Sequence, residues 1–202
     1  MPQAVEFIFD LVSPNAYLSW WPLREMLSRQ GAELEITPVF LGGMHKLTGN
    51  APPFARDAEI RGKNAYASLE MRRFIDRHGL TGFRMPAQFP FNTILPQRML
   101  LAVEGEERVA LAEGLLKALW EDGVSAGDPD ALATVATAAG LDAAAILAAT
   151  QDDAIKQRLV ANTDSAVERG AFGIPTFFVG DEMWFGKERL GQIEEYLAGG
   201  KP

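Results

Sequence analysis

The residue runs that favour β-strand lie only at the two ends of this 202-residue chain. At the front, Val5 to Phe9 is rich in β-branched and aromatic residues and stops at Asp10, as a buried strand does, and Leu34-Glu-Ile-Thr-Pro-Val-Phe40 alternates with period two. At the back, Thr176-Phe-Phe-Val179 and Glu182-Met-Trp-Phe185 flank Gly180-Asp181, the pattern of a hairpin. From about Leu41 to about Asn162 the apolar spacing is helical, interrupted by Gly and Pro, with no convincing strand run. A sheet is therefore expected from the two ends, with the middle of the chain carried as a helical block.

Between the first two strands a helix starts sharply. Ser13 followed by Pro14 is an N-cap and N1 pair, because the serine oxygen satisfies an orphan N–H and proline loses nothing at that position. Leu18, Trp21 and Leu23 to Leu27 continue it, with a kink expected at Pro22. A helix joining two strands makes them parallel, so this is one βαβ unit. Helices are expected over Ala58–His78, Ile94–Glu104, Arg108–Glu121, Asp130–Ala139, Ala143–Ala149 and Asp153–Arg169. Asp128-Pro129 and Asp142 supply caps, and Gly79, Gly123 and Gly140 supply stops. After the hairpin, Leu190, Ile193 and Leu197 share one face of a last helix. The order is βαβ, helical block, ββα. It gives an α/β fold, a thioredoxin-like core with a large all-helical insertion, divided as residues 1–40 and 163–202 for the core and 41–162 for the insertion.

Composition narrows the chemistry. With 27 acidic against 19 basic residues and a net charge of -8, the chain has no Lys/Arg cluster able to track phosphates, so nucleic acid is not an expected partner. No window reaches the length of a membrane span, and Met1 to Asp10 lacks a basic n-region and is broken by Glu6 and Asp10. A cytoplasmic location is expected. Cysteine is absent, which removes disulfides, thiolate metal sites and protein thiol nucleophiles together. No metal is expected, and any thiol chemistry must use a borrowed thiol.

Three separated segments carry a resemblance. Phe9-Asp-Leu-Val-Ser-Pro-Asn-Ala-Tyr-Leu18 is similar to the active-site turn of thiol-disulfide oxidases of this fold, with Ser13-Pro-Asn-Ala16 where they carry Cys-x-x-Cys. The second is Lys46-Leu-Thr-Gly-Asn-Ala-Pro-Pro53. The third pairs Gly170-Ala-Phe-Gly-Ile-Pro-Thr-Phe-Phe178 with Glu182-Met-Trp-Phe-Gly-Lys-Glu-Arg-Leu190. Together they resemble, over nearly the whole chain, the 2-hydroxychromene-2-carboxylate isomerases and the kappa-class glutathione transferases. The resemblance implies glutathione as cofactor and a serine in place of the redox cysteine.

At the start of a helix, the Ser13 hydroxyl can donate to a sulfur just beyond it, and the helix dipole favours the anion. A free thiol with a pKa of ~8.5 is mostly protonated at neutral pH, so each unit of depression gives roughly tenfold more thiolate. Ser13 is thus expected to activate glutathione. A cap role alone accounts for an isolated Ser-Pro, and both roles are compatible here. A serine hydrolase would need a base, for which only His45 and His78 are available, and there is no G-x-S-x-G elbow.

The remaining site residues follow from the resemblance. It implies a cis bond at Ile174-Pro175 beside the active-site turn, where the Ile174 backbone would pair with the cysteinyl part of glutathione like an added strand. A plain turn proline fits the sequence equally well. Phe185-Gly186-Lys187-Glu188 opens the last helix and would hold the γ-glutamyl head, its carboxylate on the helix start and its ammonium on Glu188. Relatives usually carry Asp at that position, so Glu188 is one methylene longer; helix capping and surface pairing are equally good explanations of it. Asn50 matches a glutathione-contacting Asn of the kappa class. Lys46 and Arg56 lie where the isomerases bind the acid oxygens of their substrate, and Phe89 would form an aromatic wall. Ala55 stands where some isomerases carry a polar ligand, and for each of these residues alone a solvated cation, a turn Asn or a core Phe is the commoner role.

The activity implied is isomerisation of a 2-hydroxychromene-2-carboxylate-like aromatic acid by reversible thiolate addition. The alternatives are a kappa-like transferase or peroxidase using the same thiolate, and a non-catalytic peptide-binding module. The expected partner is a small anionic aromatic acid, with a homodimer as the candidate assembly.

Overall fold

In the computed structural model, residues 3–201 are described; Met1, Pro2 and Pro202, the outermost residues assigned above to the core, lie outside them. Strand β1 (Ala4–Phe9) runs into the interior, and its last three residues are fully buried. Helix α1 (Pro14–Gln30) follows, with Ser13 as N-cap in extended conformation (φ −83°, ψ 117°) accepting from the N–H of Ala16 at 3.2 Å. Pro22 is taken up inside α1, which continues to Gln30 and ends at Gly31. Strand β2 (Glu33–Pro38) is shorter than the alternating pattern suggests. Val39 still donates to Phe9 C=O at 3.0 Å, but Phe40 turns out of the sheet and becomes the N-cap of the next helix, its N–H donating to Thr163 Oγ1 at 3.0 Å.

That helix, α2 (Leu41–Thr48), is absent from the helices expected above. Gly42-Gly43 lowers its propensity, and tertiary packing around the buried Met44 overrides the deficit. A short α3 (Pro53–Arg56) precedes α4 (Lys63–His78), which begins five residues later than expected because turns occupy Asp57 to Gly62. Helix α5 (Ile94–Leu101) also stops early. The Arg108 side chain accounts for the end, donating to the carbonyls of Leu100 and Val103 at 2.9 Å each. Helices α6 (Gly105–Trp120), α7 (Pro129–Ala138), α8 (Ala143–Ala149) and α9 (Asp153–Glu168) fall within three residues of expectation at either end.

The chain then returns to the sheet through β3 (Thr176–Val179) and β4 (Glu182–Phe185), passes a 3₁₀ turn at Lys187–Arg189, and ends in α10 (Leu190–Leu197). The strand order is β2-β1-β3-β4, with β1 and β2 parallel and the other pairs antiparallel. Phe7 sits opposite Phe177, both fully buried, with ring centroids 4.8 Å apart. Such a cross-strand aromatic pair fixes register, since a slip of one residue would turn both rings to the wrong face. Burying each ring stabilises the fold by roughly 1.5–3 kcal/mol.

The helical middle is bonded onto the end of this sheet. Gln97 of α5, fully buried, donates to the carbonyls of Phe9 and Val39 at 2.7 Å each, so it bridges the ends of β1 and β2. One cluster of buried side chains extends from Phe7 and Phe177 in the sheet to Leu115, Leu132 and Ile146 in the helices. We therefore treat the division at 40/41 and 162/163 as one of topology, proposed from chain order.

Candidate functional site

The Ser13 turn and the loop before β3 meet at the end of the sheet. The Ser13 hydroxyl donates to the carbonyl of Ile174 at 3.1 Å while its oxygen accepts from Ala16 N–H, and the side chain is almost fully buried. The Ile174–Pro175 bond is cis, as the resemblance implies. Among the described residues the N–H of Ile174 has no hydrogen-bond partner, whereas its carbonyl is engaged by Ser13 and keeps one lone pair. Neither His45 nor His78 bonds to Ser13 among the described residues, so no hydrolase dyad forms.

Beneath the turn lies an acid that sequence reasoning took only as a strand end. Asp10 is fully buried, and its carboxylate accepts from Thr93 Oγ1 at 2.6 Å, Leu41 N–H at 2.7 Å and Val12 N–H at 3.1 Å. Desolvation outweighs these bonds and raises its pKa to about 6. It ties β1 to the starts of α2 and α5 in one node. One turn into α1, buried Tyr17 donates to Glu121 at 2.9 Å; burial first and the carboxylate second push its hydroxyl well above the usual range, so it stays protonated.

On one side of the cis loop, Asn50 donates to the carbonyl of Phe172 at 2.7 Å, and Arg56 reaches Asn50 Oδ1 at 3.3 Å. The structure thus brings Asn50, Arg56 and the loop together. The Arg56 guanidinium also forms a two-point contact with Asp57, at 3.1 and 3.2 Å, and Lys63 joins at 3.0 Å. These cations hold the Asp57 carboxyl down to about 2, the Arg56 bonds contributing most. His45 faces the same charge: burial, then Arg56, keeps its imidazole below the usual value. Lys46 is exposed on the last turn of α2 with no ion pair among the described residues. Phe89 packs edge-on to Phe54 at 5.9 Å and tilted on Trp120 at 6.0 Å. Trp120 in turn donates from its indole to Leu11 C=O at 2.9 Å, which seats this aromatic group beside the Ser13 turn.

On the other side, the half-exposed ring of Phe185 lies on Gly173 and against Phe172, with ring centroids 4.5 Å apart. A Cβ at Gly173 would come within 2.8 Å of that ring and push it aside, so glycine lets the ring rest directly on the loop backbone. Gly186 N–H donates to Pro175 C=O at 2.9 Å, and Gly186 adopts φ 103°, which aims the chain back over the end of the sheet. The side chain of Lys187 is buried. Its Nζ donates to Glu70 of α4 at 2.6 Å and to Glu188, and it lies 4.8 Å from the ring centre of Phe74. Glu188 remains half-exposed. No sequence signal points to Glu70, because the contact joins residues 117 positions apart.

Among the described residues no group of three or more His, Asp or Glu could hold a metal ion, and no helix is long and apolar enough to cross a membrane. Residues 4–198 match the DSBA-like thioredoxin domain. The 2-hydroxychromene-2-carboxylate isomerase of Pseudomonas putida is 30% identical over 197 residues, 96% of this chain and 93% of that protein. The glutathione S-transferase kappa 2 of Caenorhabditis elegans is 28% identical over 97% of this chain and 92% of that protein. A solved 2-hydroxychromene-2-carboxylate isomerase superposes with a TM-score of 0.84 at 27% identity, covering 97% of this chain and 95% of the other.

Proposed function

Because this chain belongs to the DSBA-like thioredoxin domain family, with 2-hydroxychromene-2-carboxylate isomerases among its relatives, we propose that it is a glutathione-dependent isomerase of a related anionic aromatic acid. The observation that carries the proposal is the pairing of Ser13 with Ile174. A buried hydroxyl at a helix start stands beside an open backbone N–H, in a chain with no thiol of its own. The open N–H suits a peptide-like ligand added as a strand.

Bound glutathione would supply a thiol that adds reversibly to the unsaturated acid and leaves after a bond rotation. Ser13 would turn its O–H from the Ile174 carbonyl toward the sulfur, and the start of α1 would favour the anionic form. Ile174 would hold the peptide through its N–H, and Asn50 would bear on the same ligand. Phe185, Gly186, Lys187 and Glu188 would frame its γ-glutamyl head, with Glu188 facing the ammonium. Lys46 and Arg56 would hold the acid group of the substrate beside the Phe89 ring. The proposal carries a cytoplasmic location, where free thiols stay reduced, and a homodimer as the candidate assembly.

A transferase reading has one observation in its favour. Arg56 is already engaged by Asp57, which leaves Lys46 as the uncommitted cation for an acid and suits a neutral acceptor better. Calorimetry with reduced glutathione tests the cofactor, and turnover of 2-hydroxychromene-2-carboxylate with and without it tests the reaction. We expect saturable binding and strictly glutathione-dependent isomerisation. Folded protein that gives no heat with glutathione would rule out both enzymes and leave a peptide-binding module.

A further inference from the structure

We propose that Lys187 is a positioning residue that couples the ligand head at Glu188 to the seating of α4 through Glu70. The inference rests on the glutathione reading above. Its starting point is a charge imbalance. One buried ammonium meets two carboxylates, Glu70 from α4 and Glu188 from the turn before α10, and among the described residues neither carboxylate has another ion-pair partner. The group carries a net charge of about minus one, held on two part-exposed carboxylates around a buried ammonium, so a further cation is attracted from the solvent side. Glu188 is the more exposed of the two carboxylates, 50% against 32% for Glu70. A ligand ammonium arriving there would complete the count.

The arrival has a second consequence. Two cations on Glu188 repel, so Lys187 is driven toward its other partner, Glu70. Helix α4 has no fully buried residue; Met71, Phe74 and Ile75 pack partly buried on the core, and Glu70 with the Phe74 ring meets Lys187 along the same stretch of the helix. Shifting Lys187 toward Glu70 therefore tightens the docking of α4. Linkage makes the effect reciprocal: whatever strengthens the Lys187–Glu70 bond must favour the ligand, and its loss must weaken the ligand.

A double-mutant cycle read by calorimetry with glutathione, joined to amide exchange of residues 63–78, tests this. E70Q meets the proposed ligand site only through Lys187, yet it neutralises the triad and returns Lys187 wholly to Glu188. Glutathione should then bind about fivefold or more weakly than to wild type. In the K187M background, adding E70Q should change affinity less than about twofold, because the connecting cation is gone. K187R should restore the coupling. Glutathione should raise the protection of α4 in wild type and K187R but not in E70Q or K187M. A structural brace alone would loosen α4 equally with and without ligand and leave affinity unchanged. Wild-type binding that E70Q does not weaken, or α4 protection that ligand does not alter, overturns this inference while leaving the isomerase proposal standing. No binding by wild type overturns both. If K187M fails to fold, the E70Q affinity and the E70Q exchange comparison decide the matter by themselves.

Discussion

Ser13 and Ile174 lie 161 residues apart in sequence, and the hydroxyl of one donates to the carbonyl of the other at 3.1 Å. The same oxygen caps α1, so Ser13 acts as acceptor toward the helix and donor toward the cis loop. Its proton is committed within the protein until a stronger acceptor arrives. A thiolate is such an acceptor.

Ser13→Ala separates these roles. Loss of the cap should lower stability by roughly 1 kcal/mol. Turnover should fall more than glutathione affinity, because the hydroxyl favours the thiolate while the rest of the tripeptide is held elsewhere. Ultraviolet titration of the complex should show the thiolate forming at higher pH; an unshifted curve would reduce Ser13 to a cap.

Asp10 should make stability fall as pH rises. Its folded pKa is about 6 against an ordinary 3.8, so the native state binds the proton more tightly than the unfolded chain does. The contribution is complete below 3.8 and is lost as pH passes 6, a difference of roughly 3 kcal/mol. Asp10→Asn removes the titration at the cost of one misplaced donor. Thermal melts from pH 4 to 7 should therefore show the wild-type advantage over Asp10→Asn shrinking with pH. A widening advantage would mean that the three hydrogen bonds outweigh burial.

Glu188→Gln should weaken glutathione binding modestly. The side chain is 50% exposed, so solvent screening limits an ammonium contact to about 1 kcal/mol, near fivefold in affinity. Calorimetry reads this directly, and equal affinities would show that the longer Glu does not reach the head group.

Lys46→Met and Arg56→Met should differ. Lys46 is exposed, so solvent screening limits a carboxylate contact to about 1 kcal/mol, and losing it should cost up to about fivefold in kcat/KM for an anionic acceptor. Arg56 already spends its two-point geometry on Asp57, and its removal should cost much less. A neutral electrophile should barely register either change. Steady-state kinetics with both acceptors checks the order; equal losses for charged and neutral acceptors would remove Lys46 from substrate recognition.

The helix starts were legible because caps are local: Ser13-Pro14, Asp128-Pro129 and Asp142 all begin helices where their side chains can bond to nearby N–H groups. Helix α2 was not legible, since its glycine pair argues against a helix that only packing supports. The Ser13 turn and the Ile174-Pro175 loop were readable as motifs, and so was the opening of the last helix. Asp10, Thr93 and Gln97 were not, because a polar residue carries no mark of the partner it will meet 83 or 88 positions away.

The sequence by itself determined the strand runs at the two ends, the helical middle, the absence of any protein thiol and the hydroxyl at the start of α1. These follow from side-chain periodicity, capping and composition, which act within a few residues. Only the tertiary structure decided that Arg56 is bound to Asp57, that Lys187 is shared between Glu70 and Glu188, and that Asp10 is buried at the junction of three elements. Charge and hydrogen-bond partners are chosen by which surfaces the packed core brings together, and burial then sets how strongly each group feels them.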